Sequence, residues 1–178
     1  EDDPHRRRLD REAAMNLTDV NGLSPAGFVA AFGDVAEHSP WVAREASTCR
    51  PFAGREAMMG AFATAVRAAN RDAQLALIRA HPDLAARAKL TDDSAREQAG
   101  AGLDTLSAEE FARFTALNES YKAKFGFPFI CAVKGATKHM ILAAFEARGR
   151  HTEAEEFAAA IAQVCRIFRF RIEDRVQA

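Results

Sequence analysis

Three stretches of this chain carry residue types that can do chemistry rather than fill helices. The first is His81-Pro82-Asp83-Leu84-Ala85. The second runs from Ser94 through Glu97 and Gln98 to Leu103. The third runs from Leu117 to Ile130 and closes on Lys124-Phe125-Gly126-Phe127-Pro128-Phe129-Ile130. Leu75, Leu77 and Ile78 predict a helix that stops at His81, because a residue before proline is driven out of helical backbone. Unpaired carbonyls at such a helix end favour a protonated imidazole by up to about 2 kcal/mol. Pro82 narrows where the ring can point. That arrangement suits a general acid. It also describes a histidine that merely caps a helix before a stop signal.

The other two stretches have double readings as well. Ser94-x-x-Glu97 has the spacing of a capping box, in which the glutamate bonds back to the helix start. Gln98 would project elsewhere, and its amide offers both donors and acceptors to a polar heterocycle. Gly126 and Pro128 interrupt an apolar run, which implies buried, non-helical backbone. Its N–H and C=O groups need partners. A bound polar ligand can supply them, or the loop simply packs its phenylalanines into the core.

The elements that must position these residues read as helices almost throughout. Ser24-Pro25 is an N-cap followed by proline at the first helical position, with Phe28, Phe32 and Val35 on one face. Ser39-Pro40 repeats that signal and predicts a short helix from Trp41 to about Cys49. Glu56 to Ala69 follows, then a helix capped by Asp72 that leads to His81. Ser107 and Glu110, and later Thr152 and Glu155, have capping-box spacing. Ala136 to Arg148 is helical, and Phe157, Ile161, Val164, Cys165, Phe168 and Ile172 trace one apolar stripe. Phe127 to Val133 is the one segment with extended character. The expectation is an all-α fold, one compact irregular bundle of about eight helices over residues 15–178.

Bulk properties remove several classes of function. The 178 residues are one domain's worth, and 48% are apolar, enough for a core. Net charge is −1, so no basic excess marks a nucleic-acid or anionic-membrane surface. Cys49, Cys131 and Cys165 are odd in number and widely spaced, which argues for a reducing, cytoplasmic compartment and against a disulfide or zinc framework. No apolar run is long enough to span a bilayer, and Val176-Gln177-Ala178 is not a peroxisomal tripeptide. Residues 1–14 are polar and aperiodic and read as a disordered arm or an appended remnant.

In this order, the three stretches resemble the 2-oxo-4-hydroxy-4-carboxy-5-ureidoimidazoline (OHCU) decarboxylase family, whose hallmark segments read HPDLA, SxxEQxxAGL and LNxxYxxKFGFPFI. The similarity runs from about Met15 to Val176. The resemblance implies an all-α homodimer that takes OHCU to (S)-allantoin with loss of CO2, the last step of urate breakdown to allantoin in purine catabolism. It implies that His81 is catalytic, with Glu97 orienting it or the ureido group. Pro82, Ser94 and Gln98 would line the substrate site. Phe129, Ile130, Cys131, Ala132 and Val133 would bind substrate largely through backbone. Arg171, within Phe170-Arg171-Ile172, falls where relatives carry an arginine and would meet the substrate carboxylate.

Decarboxylation needs somewhere for an electron pair to go, and cofactors often supply it. OHCU carries a ring C=N beside the carbon that loses CO2, so no cofactor and no metal is expected. Two rivals stand beside this reading. One is a non-catalytic helical module that binds a purine-derived ureide, although a binder has less need of His81, Glu97 and Gln98 together. The other is a ureide hydrolase, for which no Ser-His-Asp, Cys-His or metal set is visible.

Overall fold

A computed structural model describes residues 14–86 and 90–178. The arm expected over residues 1–14 lies, except for Ala14, outside them. Nine helices are described: α1 Leu17–Gly22, α2 Pro25–Phe32, α3 Trp41–Ser47, α4 Arg55–Ala68, α5 Arg71–Ala80, α6 Asp92–Gly100, α7 Ala108–Phe125, α8 Lys138–Arg148 and α9 Glu153–Arg175. The all-α expectation holds, and the short α1 is an addition to it. The one extended pairing among the described residues is an isolated bridge between Met15 and Val176.

Helix starts follow local side-chain chemistry. Ser24 accepts the Gly27 N–H at 3.0 Å, with Pro25 next in line. Thr152 and Glu155 close a complete capping box. Ser107 caps α7 through the Glu110 N–H, while the Glu110 carboxylate lies on Lys138 Nζ at 2.8 and 2.9 Å. Three expected caps move. Asn70, not Asp72, caps α5, because its Oδ1 accepts the Ala73 N–H at 2.8 Å and leaves Asp72 in the first turn. Pro40 precedes α3, and the Ser39 hydroxyl donates to the Glu37 carbonyl at 2.8 Å instead. Thr91, not Ser94, caps α6.

Helix α9 is the spine. Its predicted stripe is buried at Ile161, Val164, Cys165, Phe168 and Ile172. On one flank Phe28, Phe32, Phe52, Phe62 and Phe168 form a chain of ring contacts. On the other, Tyr121 meets Phe125, Phe127, Phe129 and Phe145. These rings are large apolar bodies whose tilted and edge contacts add to area burial. Phe127 to Val133 forms no strand; it is irregular backbone laid against the second cluster.

Candidate active site

His81 is the C-cap of α5, with extended backbone at φ −73° and ψ 139°. Its ring Nδ1 lies 2.9 Å from the Leu77 carbonyl. A carbonyl only accepts, so this bond assigns the hydrogen to Nδ1 and leaves Nε2 with a bare lone pair in the neutral ring. Nε2 is buried and has no hydrogen-bond partner among the described residues. Burial pushes the imidazole pKa down. The Leu77 carbonyl and the Glu37 charge push it up, Arg171 pushes it down, and the balance lies below the ordinary value. The helix-end carbonyls favour a protonated ring, but loss of water outweighs them. Neutral His81 is a base at Nε2.

The turn after it is held in a constrained shape. Ala85 has φ +59°, a region that side-chain-bearing residues seldom occupy. Gln98 Oε1 accepts the Ala85 N–H at 2.9 Å, and Asn118 Nδ2 donates to the Leu84 carbonyl at 2.8 Å. Lys122 Nζ pairs with Asp83 at 2.5 Å. The Gln98 oxygen is thus committed to the turn, and its amide N–H group is left close to the cavity with only a 3.5 Å contact to the Asp83 carbonyl.

Arg171 is the hub on the other side. Its Nε donates to Glu97 Oε1 at 2.8 Å and its Nη2 to Glu97 Oε2 at 3.0 Å. Nη2 also donates to the Ser94 hydroxyl at 3.3 Å. Nη1 donates to Glu37 Oε2 at 2.9 Å and to the Val35 carbonyl at 3.2 Å. A guanidinium has five N–H donors, and these contacts use all of them. Glu37 Oε1 in turn accepts from Thr91 at 2.7 Å and from Ser94 at 3.0 Å. Burial pushes the Glu37 carboxyl up, but the Thr91 hydroxyl and Arg171 hold it below its ordinary value. The glutamate of the supposed Ser94–Glu97 capping box is free for this network because the helix starts two residues before Ser94.

These groups line a pocket that is partly open to solvent. Its wall brings together ten of the eleven residues singled out in the sequence: His81, Pro82, Ser94, Glu97, Gln98, Phe129, Ile130, Cys131, Val133 and Arg171. Ala132 is not on the wall; its N–H donates to Gln163 Oε1 at 2.9 Å. Leu84 and Ile167 join the wall unannounced. The sequence reading also missed Glu37 and Thr91. The signal for Glu37 was an acid within Val35-Ala36-Glu37, next to a buried helix, since a buried carboxylate demands a cation. Among the described residues no group of three His, Cys, Asp or Glu could hold a metal ion.

A bare imidazole nitrogen, a carboxylate fixed by an arginine fork and half-free backbone can move a proton on a small polar ring. A family model described as OHCU decarboxylase matches residues 21–173. The chain is 45% identical over 161 residues to the 2-oxo-4-hydroxy-4-carboxy-5-ureidoimidazoline decarboxylase of Haloferax volcanii, covering 90% of this chain and 96% of the relative. It is 40% identical over 160 residues to the uric acid degradation bifunctional protein PucL of Bacillus subtilis, covering 90% of this chain and 32% of that longer protein. A crystal structure of (S)-allantoin synthase superposes with a TM-score of 0.75 at 30% identity, over 91% of this chain and 54% of the other. A crystal structure of OHCU decarboxylase in the presence of (S)-allantoin shares the fold, with a TM-score of 0.65 at 22% identity over 84% of this chain and 96% of that one.

Proposed function

The chain belongs to the OHCU decarboxylase family, and on that premise we propose that the cavity at His81 converts OHCU to (S)-allantoin and CO2. The protein is a carboxy-lyase of urate degradation. The observation that carries the assignment of the site is the buried, unpartnered Nε2 of His81 on the cavity wall.

The chemistry divides into two steps. In the first, the bond from the ring carbon to the carboxylate breaks as CO2 leaves. Its electron pair passes through the adjacent carbon to the ring nitrogen of the C=N, which takes up a proton from solvent, the one proton the overall reaction consumes. The product is an enol that retains the hydroxyl. In the second, the hydroxyl loses its proton to become the ring carbonyl, and the ureido-bearing carbon gains one. Neutral His81 Nε2 accepts the hydroxyl proton, and the imidazolium returns a proton to the neighbouring carbon on the face it occupies. The base is regenerated and one enantiomer forms. A ring held neutral by burial is suited to this, and positioned proton transfer contributes about 10²–10⁴-fold.

The remaining residues hold substrate and charge in place. Glu97 is the carboxylate with access to the cavity, its side chain 21% exposed against 3% for Arg171 and 1% for Glu37. It accepts from the ureido N–H groups. Arg171 acts through Glu97, fixing its orientation, since no N–H of the guanidinium is left for the substrate carboxylate. The Gln98 amide and the backbone from Phe129 to Val133 set the ring face, and Pro82 and Phe129 supply apolar walls.

The homodimer and the cytoplasmic location belong to the same proposal. The first is supported by the family resemblance, the second by three cysteines that are all free. The test of activity is a coupled assay in which urate oxidase and hydroxyisourate hydrolase generate OHCU in place. Added protein should speed the loss of OHCU absorbance and yield dextrorotatory allantoin. A rate equal to the spontaneous one would overturn the assignment in favour of a ureide-binding module.

A further inference from the structure

We propose that Arg148 is a positioning residue for the substrate: with Glu156 behind it, it locks the Ile130–Cys131 peptide so that the Cys131 N–H is presented to the cavity. The proposal rests on the reading of that cavity as the OHCU site.

Arg148 and Glu156 lie on α8 and α9, outside the site described above. Glu156 is fully buried. It receives Arg148 Nε at 2.9 and 3.2 Å, the Tyr121 hydroxyl, and His151 Nδ1 at 2.9 Å. An anion so enclosed is well satisfied, and its acceptors aim the guanidinium in one direction. The free arm, Nη1, donates to the Ile130 carbonyl at 2.6 Å. The same guanidinium lies over the Phe129 ring, 4.3 Å from its centroid, and Phe129 is stacked on Phe145 at 3.9 Å. One cation therefore grips both the side chain before the peptide and the peptide itself.

A trans peptide is planar, with its C=O and N–H pointing in opposite directions. Turning the Ile130 carbonyl onto Arg148 turns the Cys131 N–H away from it. No acceptor for that N–H is found among the described residues, and both Ile130 and Cys131 line the cavity. The next N–H, on Ala132, is taken by Gln163. The Ile130 carbonyl before the Cys131 N–H and the Ala132 N–H after it are thus both committed, and the Cys131 N–H is left for an oxygen of the ring or the carboxylate. Arg148 supplies no atom to the cavity wall; its effect is on the direction of a backbone dipole.

Arg148→Lys leaves a cation beside Glu156 and removes the fork that reaches Ile130. The expected result is (S)-allantoin binding weakened about tenfold by calorimetry, about the worth of one charge-assisted hydrogen bond. The KM for OHCU should rise by a similar factor with kcat less affected, and the optical purity of the product should fall. Gln163→Ala, at a half-buried position, loosens the same segment from its other side and should raise KM in the same direction. A folded Arg148→Lys protein with wild-type Kd, KM and optical purity would overturn the proposal, even if its melting temperature fell. If Arg148→Lys does not fold, an unchanged KM in Gln163→Ala overturns it. Wild-type protein that binds (S)-allantoin but does not decarboxylate OHCU sinks the functional reading alone, and the binding arms still decide the role of Arg148. Wild-type protein that binds neither compound overturns both.

Discussion

Glu97 and Arg171, 74 residues apart in sequence, meet through two parallel hydrogen bonds, Oε1 to Nε at 2.8 Å and Oε2 to Nη2 at 3.0 Å. This fork makes a helix-surface glutamate into a fixed anion at the cavity wall. It also couples stability to function, because the same guanidinium neutralises Glu37. Lysine is a point charge and cannot reproduce the fork. Arg171→Lys should lower kcat/KM at least about tenfold, one charge-assisted hydrogen bond or more. Arg171→Met should also leave Glu37 buried without its cation, at a cost of about 3–5 kcal/mol. Thermal unfolding and OHCU kinetics on both variants check this; wild-type kinetics in Arg171→Lys would contradict the coupling.

Activity should follow the neutral form of His81. Its pKa lies below the ordinary histidine value of 6.5, chiefly through burial. The base form is therefore present at neutral pH, and kcat/KM should be flat there. It should fall as pH drops through a value under 6.5. The measurement is the pH profile of kcat/KM, with an imidazole NMR titration of His81 beside it. A profile that instead fell with rising pH near neutrality would indicate an acid in the resting enzyme.

Acid should also unfold the protein, with the sign set by two carboxylates. Glu37 and Glu156 both have folded-state pKa values below the ordinary 4.5, despite burial, because of their hydroxyl and arginine partners. Their contribution is present in full above 4.5 and is lost as pH falls through the lower folded values. His81 acts in the same direction at higher pH, since protonation below 6.5 favours the unfolded chain. The midpoint of chemical denaturation, followed from pH 7 down to pH 3, should fall in two stages. Glu37→Gln should flatten the lower one.

Thr91 has two tasks, one at each end of its hydroxyl. It accepts the Ser94 N–H at 3.3 Å as the cap of α6 and donates to Glu37 at 2.7 Å. Loss of a cap costs about 1 kcal/mol, and a hydrogen bond to a charged group adds about 1.5–3 kcal/mol. Thr91→Ala should therefore destabilise by about 2.5–4 kcal/mol on those two figures, and it should lower activity by loosening Ser94 and Glu97. Thr91→Ser should restore most of both. Equal melting temperatures for the two variants would show that the hydroxyl is idle.

Much of this was legible in the chain because it rests on local rules. Proline after His81, serine before Pro25 and the Thr152–Glu155 pair each act within four residues. The apolar stripe of α9 needs only a helical period. What was hidden depends on partners far along the chain. Ser94 and Glu97 have capping-box spacing, yet a better cap three residues earlier released both to distant groups. The charge state of His81 could not be read from the chain, because the helix-end carbonyls are local and the desolvation is not. Glu37 lies 134 residues from Arg171, and nothing within its own turn announces that partner. Arg148 escaped notice for the same reason: its task is set by Ile130, 18 residues away.

His81 is the centre of the mechanism, and replacing its ring is the most direct test. His81→Ala, purified and compared with wild type in the coupled OHCU assay, should retain its helical circular dichroism and still bind (S)-allantoin. Its enzymatic turnover should fall by about 10²–10⁴-fold, the range expected for a positioned proton carrier, and the allantoin it does release should be close to racemic. A folded His81→Ala protein that decarboxylates OHCU at the wild-type rate, with (S)-allantoin as its product, would contradict the mechanism at its centre.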